Sequence, residues 1–413
     1  MVRLLAMMLI STIVSGYYFS FSFKFLPSVN TKMMLAGIGL ALAIYQACHK
    51  HQVTFSKELM GAAGFAFVFS FICFIAADYN NTDDYSYATY FLSFFTWLAG
   101  GYTVCAVIRV FYKKITLRLL VNYLAFVCAL QCALAILIDR IPAFQLFVNT
   151  FFLGGEFYQS AGRLYGIGAA LDPAGIRFAI VLLLITYILL EDESLRKDRK
   201  GMIAFIICFF LISVLGNMIS RTTIVGTVMG FIYIIYSTGI YRLVIPVRNI
   251  RFYFILTVLL ILFVTIAVYF YYTDTSFHAN IRFAFEGFFN WAEEGEWRTN
   301  STDTLNNLMW IWPEDLKTWI IGSGKFGLFA YGTDIGYCRF ILYCGLIGFS
   351  TFGLFFVYNA FVFADRFPSF RLISIGILVL SFIIWMKVAT DIFLIYALFY
   401  SLDWEENSII SSK

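Results

Sequence analysis

The stretch ISRTTIVGTVMG, residues 219–230, puts an arginine, Arg221, between two long apolar runs with almost no loop around it. Apolar runs of about 18–22 residues span a bilayer as helices, so two of them meeting at so short a turn read as a tight transmembrane hairpin. The rest of the chain agrees. Of 413 residues, 61% are hydrophobic and 13% charged, where a soluble domain carries about 25% charged residues. Such a chain cannot hide its apolar surface inside a water-soluble core. The expected fold class is all-α: a polytopic integral membrane bundle, with residues 1–413 forming one membrane domain. The net charge of +4 is spread over many short loops, which argues against a nucleic-acid partner.

Working outward, apolar runs lie near 3–23, 32–48, 59–77, 88–110, 117–138, 173–190, 201–219, 222–240, 252–272, 335–361 and 371–387. A shorter run at 391–403 either makes a twelfth span or merges with its predecessor into one broken element. The first run lacks a small-residue cleavage site and reads as a helix that is retained. Lys and Arg on alternate short loops orient the molecule. HKHQVTFSKE, RVFYKKITLR, EDESLRKDRK, YRLVIPVRNIR and ADRFPSFR each carry at least two, whereas DYNNTDDYSY carries none and the turn at Ser220–Thr222 carries one. The basic set is expected to be cytoplasmic, with both termini inside. The long loops at 139–171 and 273–334 then face outward, which in a bacterium is the periplasm. The larger loop is expected to hold short helices near the membrane surface, because apolar positions in 304–321 recur at helical spacing.

Eight cysteines form no CxxC pair, and most sit in apolar runs as small hydrophobic residues. His49 and His51 share a basic loop and His278 stands alone, so neither metal nor cofactor is expected. Asp83 and Asp84 read as a solvated loop. All six prolines fall in loops or at helix starts. With no proline breaking a span and no inverted repeat, the sequence weighs against a transporter, whose spans are typically interrupted.

In this topology Arg163, Arg177, Arg221 and Arg339 fall at outer helix ends, and Arg282 and Arg298 in the large outer loop. The positive-inside rule depletes basic residues there. Taken singly, each arginine is a snorkelling anchor or half of an ion pair. As a set at one level they suit an anion such as a lipid-borne pyrophosphate, which the planar guanidinium fork matches. Ser220 or Thr222 is expected to cap the helix after Arg221, leaving an amino terminus that favours an anion. Asp172-Pro173 reads as a helix start with Asp as cap. Asp334 reads as a cap or a general base, Glu156 as a second candidate base and Asp303 as a weaker one. Lys387 and Asp391, spaced i, i+4, read as a helical ion pair. FFNWAEEGEW and MWIWPEDLKTW either stack on sugar faces or form an interfacial aromatic belt.

Three stretches together resemble the Wzy-type O-antigen and capsule polysaccharide polymerases and their relatives, the O-antigen ligases. They are Arg163, Gly166, Pro173 and Gly175; then Ser220-Arg221; then Gly322, Gly324, Asp334, Tyr337, Gly345 and Gly348. The likeness covers roughly residues 160–360. It departs where the family often has Pro-Asn and this chain has Asp172-Pro173-Ala174. The functional histidine of ligases has only His278 as a counterpart, which favours polymerase over ligase. The resemblance implies a metal-independent glycosyltransferase of the bacterial inner membrane. Undecaprenyl-pyrophosphate-linked glycans would be donor and acceptor, and a chain-length regulator protein is a candidate partner. The arginines would stabilise the departing pyrophosphate, and Asp334, with Glu156 second, would take the acceptor proton. The alternatives are a ligase acting on lipid A-core and a flippase.

Overall fold

The computed structural model describes residues 2–50, 56–239, 247–327 and 329–403. His51, Pro246, parts of two of the basic loops and residues 404–413 lie outside the described residues. Most of what is described is helix, with almost no strand. Among the described residues, eight helices are long and apolar enough to cross a membrane by length and composition: Thr31–His49, Lys57–Tyr79, Tyr90–Tyr112, Leu117–Arg140, Leu171–Glu191, Arg199–Ile219, Ile250–Thr273 and Gly336–Arg366. Three shorter apolar helices, Arg3–Tyr18, Thr223–Thr238 and Arg371–Trp385, coincide with further expected spans. The run at 391–403 holds only helix Phe393–Phe399, with every residue buried. At 1.5 Å per residue it is about 10 Å long, too short for the roughly 30 Å hydrocarbon core. Of the two readings of that run, the structure has the broken element.

The first expected span is also shorter than its apolar run. Its helix stops at Tyr18, and Ser22–Phe23 pairs antiparallel with Leu26–Asn30. The cause is legible: Phe19 to Phe25 alternate as FSFSFKF, which is strand periodicity. Counting apolar residues alone hid it.

The chain divides into two compact units, residues 1–31 with 115–298 and residues 32–114 with 299–413. In the first unit, Leu171–Glu191 is the central helix, with 89% of its apolar window buried. Helix Thr223–Thr238 lies against it, and a Cβ on Gly226 would sit 2.3 Å from the Ala179 Cα. Helix Ile250–Thr273 is the opposite case, 6% buried, presenting Phe254, Ile261, Val264 and Tyr269 as an apolar surface suited to lipid. Short helices Thr275–Ala284 and Glu286–Glu294 follow it, and Pro142–Phe151 and Gly155–Ser160 occupy the smaller loop.

The second unit packs Lys57–Tyr79, Tyr90–Tyr112, Gly336–Arg366, Arg371–Trp385 and Phe393–Phe399 around aromatic rings. Phe69 stacks on Phe352 at 4.3 Å, with Tyr90, Phe340 and Trp385 packed closely around them. The large loop contributes helices Asn300–Leu308 and Leu316–Ile320 here.

Spans are interrupted at places where no proline lies. A π-helical turn occupies Ile212–Gly216. Gly345, at φ 66° and ψ −178°, kinks Gly336–Arg366. The chain is non-helical between Trp385 and Phe393. Lys387 and Asp391 both lie in that break, outside regular helix. Asp391 accepts the Phe393 N–H at 3.0 Å, at the start of the next short helix.

Candidate functional site

The hairpin turn at Arg221 is built by the π-turn. Helix Arg199–Leu211 passes through Ile212–Gly216 and Asn217–Ile219 and ends at Ser220, whose backbone is extended (φ −152°, ψ 124°). Turns of this kind concentrate at functional positions. Thr222 makes no side-chain cap, but Ser220 Oγ accepts the Thr222 N–H at 3.4 Å. Both hydroxyls also donate to Asp172 Oδ1, Ser220 at 3.1 Å and Thr222 at 2.5 Å. The N–H groups of Thr223, Ile224 and Val225 donate to the carbonyls of Ser220, Arg221 and Thr222 at 3.0, 3.2 and 3.2 Å. That helix end therefore offers an anion little. Nor does Asp172 cap its own helix, which begins at Leu171 with Ala170 as cap residue. Asp172 ties the helix start to the turn, and Gly175 allows it: a Cβ there would lie 2.5 Å from Ser220 Oγ.

Two arginines meet beside this turn. The guanidinium groups of Arg163 and Arg221 lie 4.3 and 4.4 Å from the centroid of one ring, Phe283. Arg221 is ion-paired with Glu286, and both side chains are less than one-fifth exposed (18% and 19%). Arg163 differs. Its guanidinium makes no hydrogen bond or ion pair among the described residues, and the residue is half-buried. Burial first, then the like charge of Arg221, pulls its pKa below the usual arginine value, while Asp172 and Glu286 act the other way. An arginine stays protonated all the same. Its five donors are left partly desolvated and without a protein acceptor, a state that an incoming anion relieves. Phe283 and Glu286 flank the junction of helices Thr275–Ala284 and Glu286–Glu294. Buried Asn217 anchors that junction by donating from Nδ2 to the Ala284 carbonyl at 2.8 Å.

The remaining arginines are engaged elsewhere. Arg282 makes a two-pronged pair with Glu293, both contacts 2.7 Å, and that pairing holds the Glu293 carboxyl below the usual range. Arg298 pairs with Glu296 at 3.3 Å on the surface. Arg177 lies 5.9 Å from the Phe19 ring, and its carbonyl accepts from Tyr18 Oη at 2.9 Å. Arg339 belongs to the second unit, stacked 4.1 Å from the Phe326 ring and donating to the Phe326 carbonyl at 2.7 Å. Of the expected bases, Asp334 is exposed in the second unit just before helix Gly336–Arg366. Thr333 Oγ1, not Asp334, accepts the Ile335 N–H. Glu156 is 73% exposed and paired with Lys24 at 2.7 Å. Asp303 lies in the first turn of helix Asn300–Leu308, also in the second unit. His278 stacks on Tyr271 at 4.2 Å, with Nδ1 against the Tyr271 carbonyl.

The Gly-x-Gly stretch of the second unit serves packing. The kink at Gly345 frees backbone carbonyls, which must be satisfied inside a membrane protein. Ser323 N–H and Oγ both donate to Leu342 O at 2.8 Å, and Gly324 N–H to Tyr343 O at 3.0 Å. From the other side Asn80 and Thr82 donate to the carbonyls of Gly322 and Gly324, at 3.1 and 2.7 Å. Asp84 Oδ2 accepts the N–H groups of Phe326 and Gly327 at 2.6 and 2.5 Å. Asp84 is thus a latch on this loop and not merely solvated. Burial pushes its pKa up, but those backbone donors and Ser86 outweigh it, and the net shift is downward.

Phe283, Glu286 and Asn217 do not stand out along the chain. The Arg221–Glu286 contact joins residues 65 apart, and nothing local marks it; the only hint is an acid flanked by aromatics in FAFEGFF. No cluster of three or more His, Cys, Asp or Glu able to hold a metal occurs among the described residues. The chain matches no protein-family model, no curated protein and no solved structure.

Proposed function

We propose that this membrane protein polymerises undecaprenyl-pyrophosphate-linked repeat units of a surface polysaccharide on the periplasmic face of the bacterial inner membrane. The observation that carries the reading is the arginine pair on Phe283, with the donors of Arg163 unengaged among the described residues. In the reaction an acceptor hydroxyl oxygen on one carrier bonds to the anomeric carbon of the donor glycan. The bond from that carbon to the pyrophosphate oxygen breaks, and undecaprenyl pyrophosphate leaves with the electron pair. Arg163 and Arg221 stabilise the charge growing on the leaving group, where fixed donors in a low-dielectric site act most strongly. The hydroxyl proton needs an acceptor within hydrogen-bond reach. We assign that role to Glu286 over Asp334 and Glu156, because its carboxylate already meets Arg221.

The test is surface glycan length on a gel from strains carrying Arg163→Ala and Arg163→Lys. Long chains are expected to disappear in both at normal protein level, since lysine keeps the charge but loses the fork. A normal ladder in Arg163→Ala overturns the reading. Gene deletion separates the polymerase from a ligase: a single repeat left on lipid A-core supports polymerase, and no repeat at all supports ligase.

A transporter is the second reading. The interruptions at Gly345 and between Trp385 and Phe393 favour it, because such breaks commonly line transport sites. Sugar transfer by purified protein in detergent, with no gradient, excludes it as the whole function.

A further inference from the structure

Beside Arg163 lies a cavity of about 150 Å³, within the first unit. Its polar lining comes from Asp139, Gln145, Gln159, Arg163, Tyr165 and Asn280. The chemistry of this lining is uneven. Arg163 supplies the one cationic fork. The rest are amides, a phenol and a carboxylate, groups that bond neutral hydroxyls by donating and accepting at once. Several of them are held in place from behind. Gln159 Oε1 accepts from Asn149 Nδ2 at 3.0 Å, Tyr165 Oη donates to Asn149 Oδ1 at 2.9 Å, and Asp139 Oδ2 accepts from Ser276 Oγ at 3.1 Å. Among the described residues, Gln159 Nε2 and Asp139 Oδ1 are the atoms left over. The amide of Asn280 makes no hydrogen bond among the described residues. Gly162, at φ 62° with nothing within 4 Å of a Cβ position, leaves the rim next to Arg163 open.

We infer that this cavity is a subsite for one hexopyranose ring, the sugar bonded directly to the pyrophosphate that Arg163 holds. The volume has room for several waters, the space of a single sugar ring. Helix Thr275–Ala284 contributes to both parts of the site: Asn280 lines the cavity, and Phe283, one turn on, carries the two guanidinium groups. Anion and sugar are thereby read by adjacent residues of one helix. The inference rests on the anion site proposed above and adds to it the class of group next to the anion.

The experiment measures binding of geranylgeranyl pyrophosphate to the purified full chain in detergent. The same lipid is then tried with glucose, galactose, N-acetylglucosamine or N-acetylgalactosamine attached to its pyrophosphate. At least one conjugate is expected to bind about tenfold more tightly than the bare pyrophosphate, the effect of one or two hydrogen bonds. Asn280→Ala is expected to abolish that gain while bare pyrophosphate binds as before, which also shows that the variant is folded. If no conjugate gains, or the gain survives Asn280→Ala, the sugar subsite is wrong even though the anion site stands. If bare pyrophosphate fails to bind the native chain, or binds Arg163→Ala equally well, the anion site falls and the subsite with it.

Discussion

Arg163 and Arg221 share Phe283: one aromatic ring faces two guanidinium groups, at 4.3 and 4.4 Å from its centroid. The two like charges repel. The ring's negative face and the carboxylates of Asp172 and Glu286 offset that repulsion. Phe283→Ala removes the shared surface. A cation–π contact is worth about 0.5–2 kcal/mol, so pyrophosphate-lipid affinity is expected to fall about tenfold with little loss of expression. Unchanged affinity means that the ring does not organise the pair.

Glu286 occupies Arg221 where an anionic ligand would compete for it. Glu286→Gln keeps the shape and deletes the charge. Binding of geranylgeranyl pyrophosphate is then expected to tighten about three- to tenfold, while glycan chains shorten because the proton acceptor is lost. A purely structural ion pair gives the opposite sign, weaker binding with a lower melting temperature. Titration of the variant beside the native chain decides between them.

Asp172 holds the hairpin turn through a single oxygen that accepts two hydroxyls. Asp172→Ala strands both donors and is expected to cost about 1–3 kcal/mol, read as a lower thermal midpoint in detergent. Asp172→Asn retains one acceptor oxygen and is expected to lose less. Equal losses in the two variants would show that charge, not the hydrogen bonds, is what matters.

Two glycines with left-handed backbone separate conformational cost from crowding. At Gly345, φ 66°, a Cβ would meet Ile320 O at 2.1 Å, whereas at Gly162, φ 62°, it would meet nothing within 4 Å. Gly162→Ala is expected to cost about 1–2 kcal/mol from the backbone alone. Gly345→Ala adds a collision with backbone that cannot move aside, and the yield of monodisperse protein is expected to collapse. Comparable yields from both would refute the docking of the 320–324 segment into the kink.

Asp84 gives a pH dependence with a definite sign. Its carboxyl is depressed in the folded chain, so its contribution to stability is fully present above the unfolded value of about 3.9. That contribution is lost as pH falls through the lower folded value. The thermal midpoint of the native chain is therefore expected to exceed that of Asp84→Asn between about pH 5 and 7. The gap should narrow below about pH 4. A gap that stays constant down to about pH 3 would mean that the latch does not depend on the carboxylate's charge.

Much of the architecture was legible along the chain because the relevant signals are local. Apolar length and low charge mark the helices, so Lys57–Tyr79, Leu117–Arg140 and Ile250–Thr273 fall where the runs do. The hairpin at 22–30 was equally local, but its alternating phenylalanines register as apolarity before they register as a period. The interruptions were not legible from proline positions. Gly345 bends because Ser323 and Gly324, distant in sequence, supply donors to the carbonyls it frees. The set of arginines expected to face outward looked uniform, yet the structure divides it: Arg282 and Arg298 go to nearby glutamates, and Arg339 goes to Phe326.

The sequence by itself determined that this is a helical membrane protein with polar loops rich in arginine and aromatic residues. Composition and periodicity act residue by residue and need no partner to be read. Only the tertiary structure decided which guanidinium is neutralised and which stays open. An ion pair depends on where two distant segments dock, and Arg221 meets Glu286 where Asn217 and Ala284 join the two helical elements. Arg163 reaches the same ring from a third segment, and no signal along the chain records that meeting.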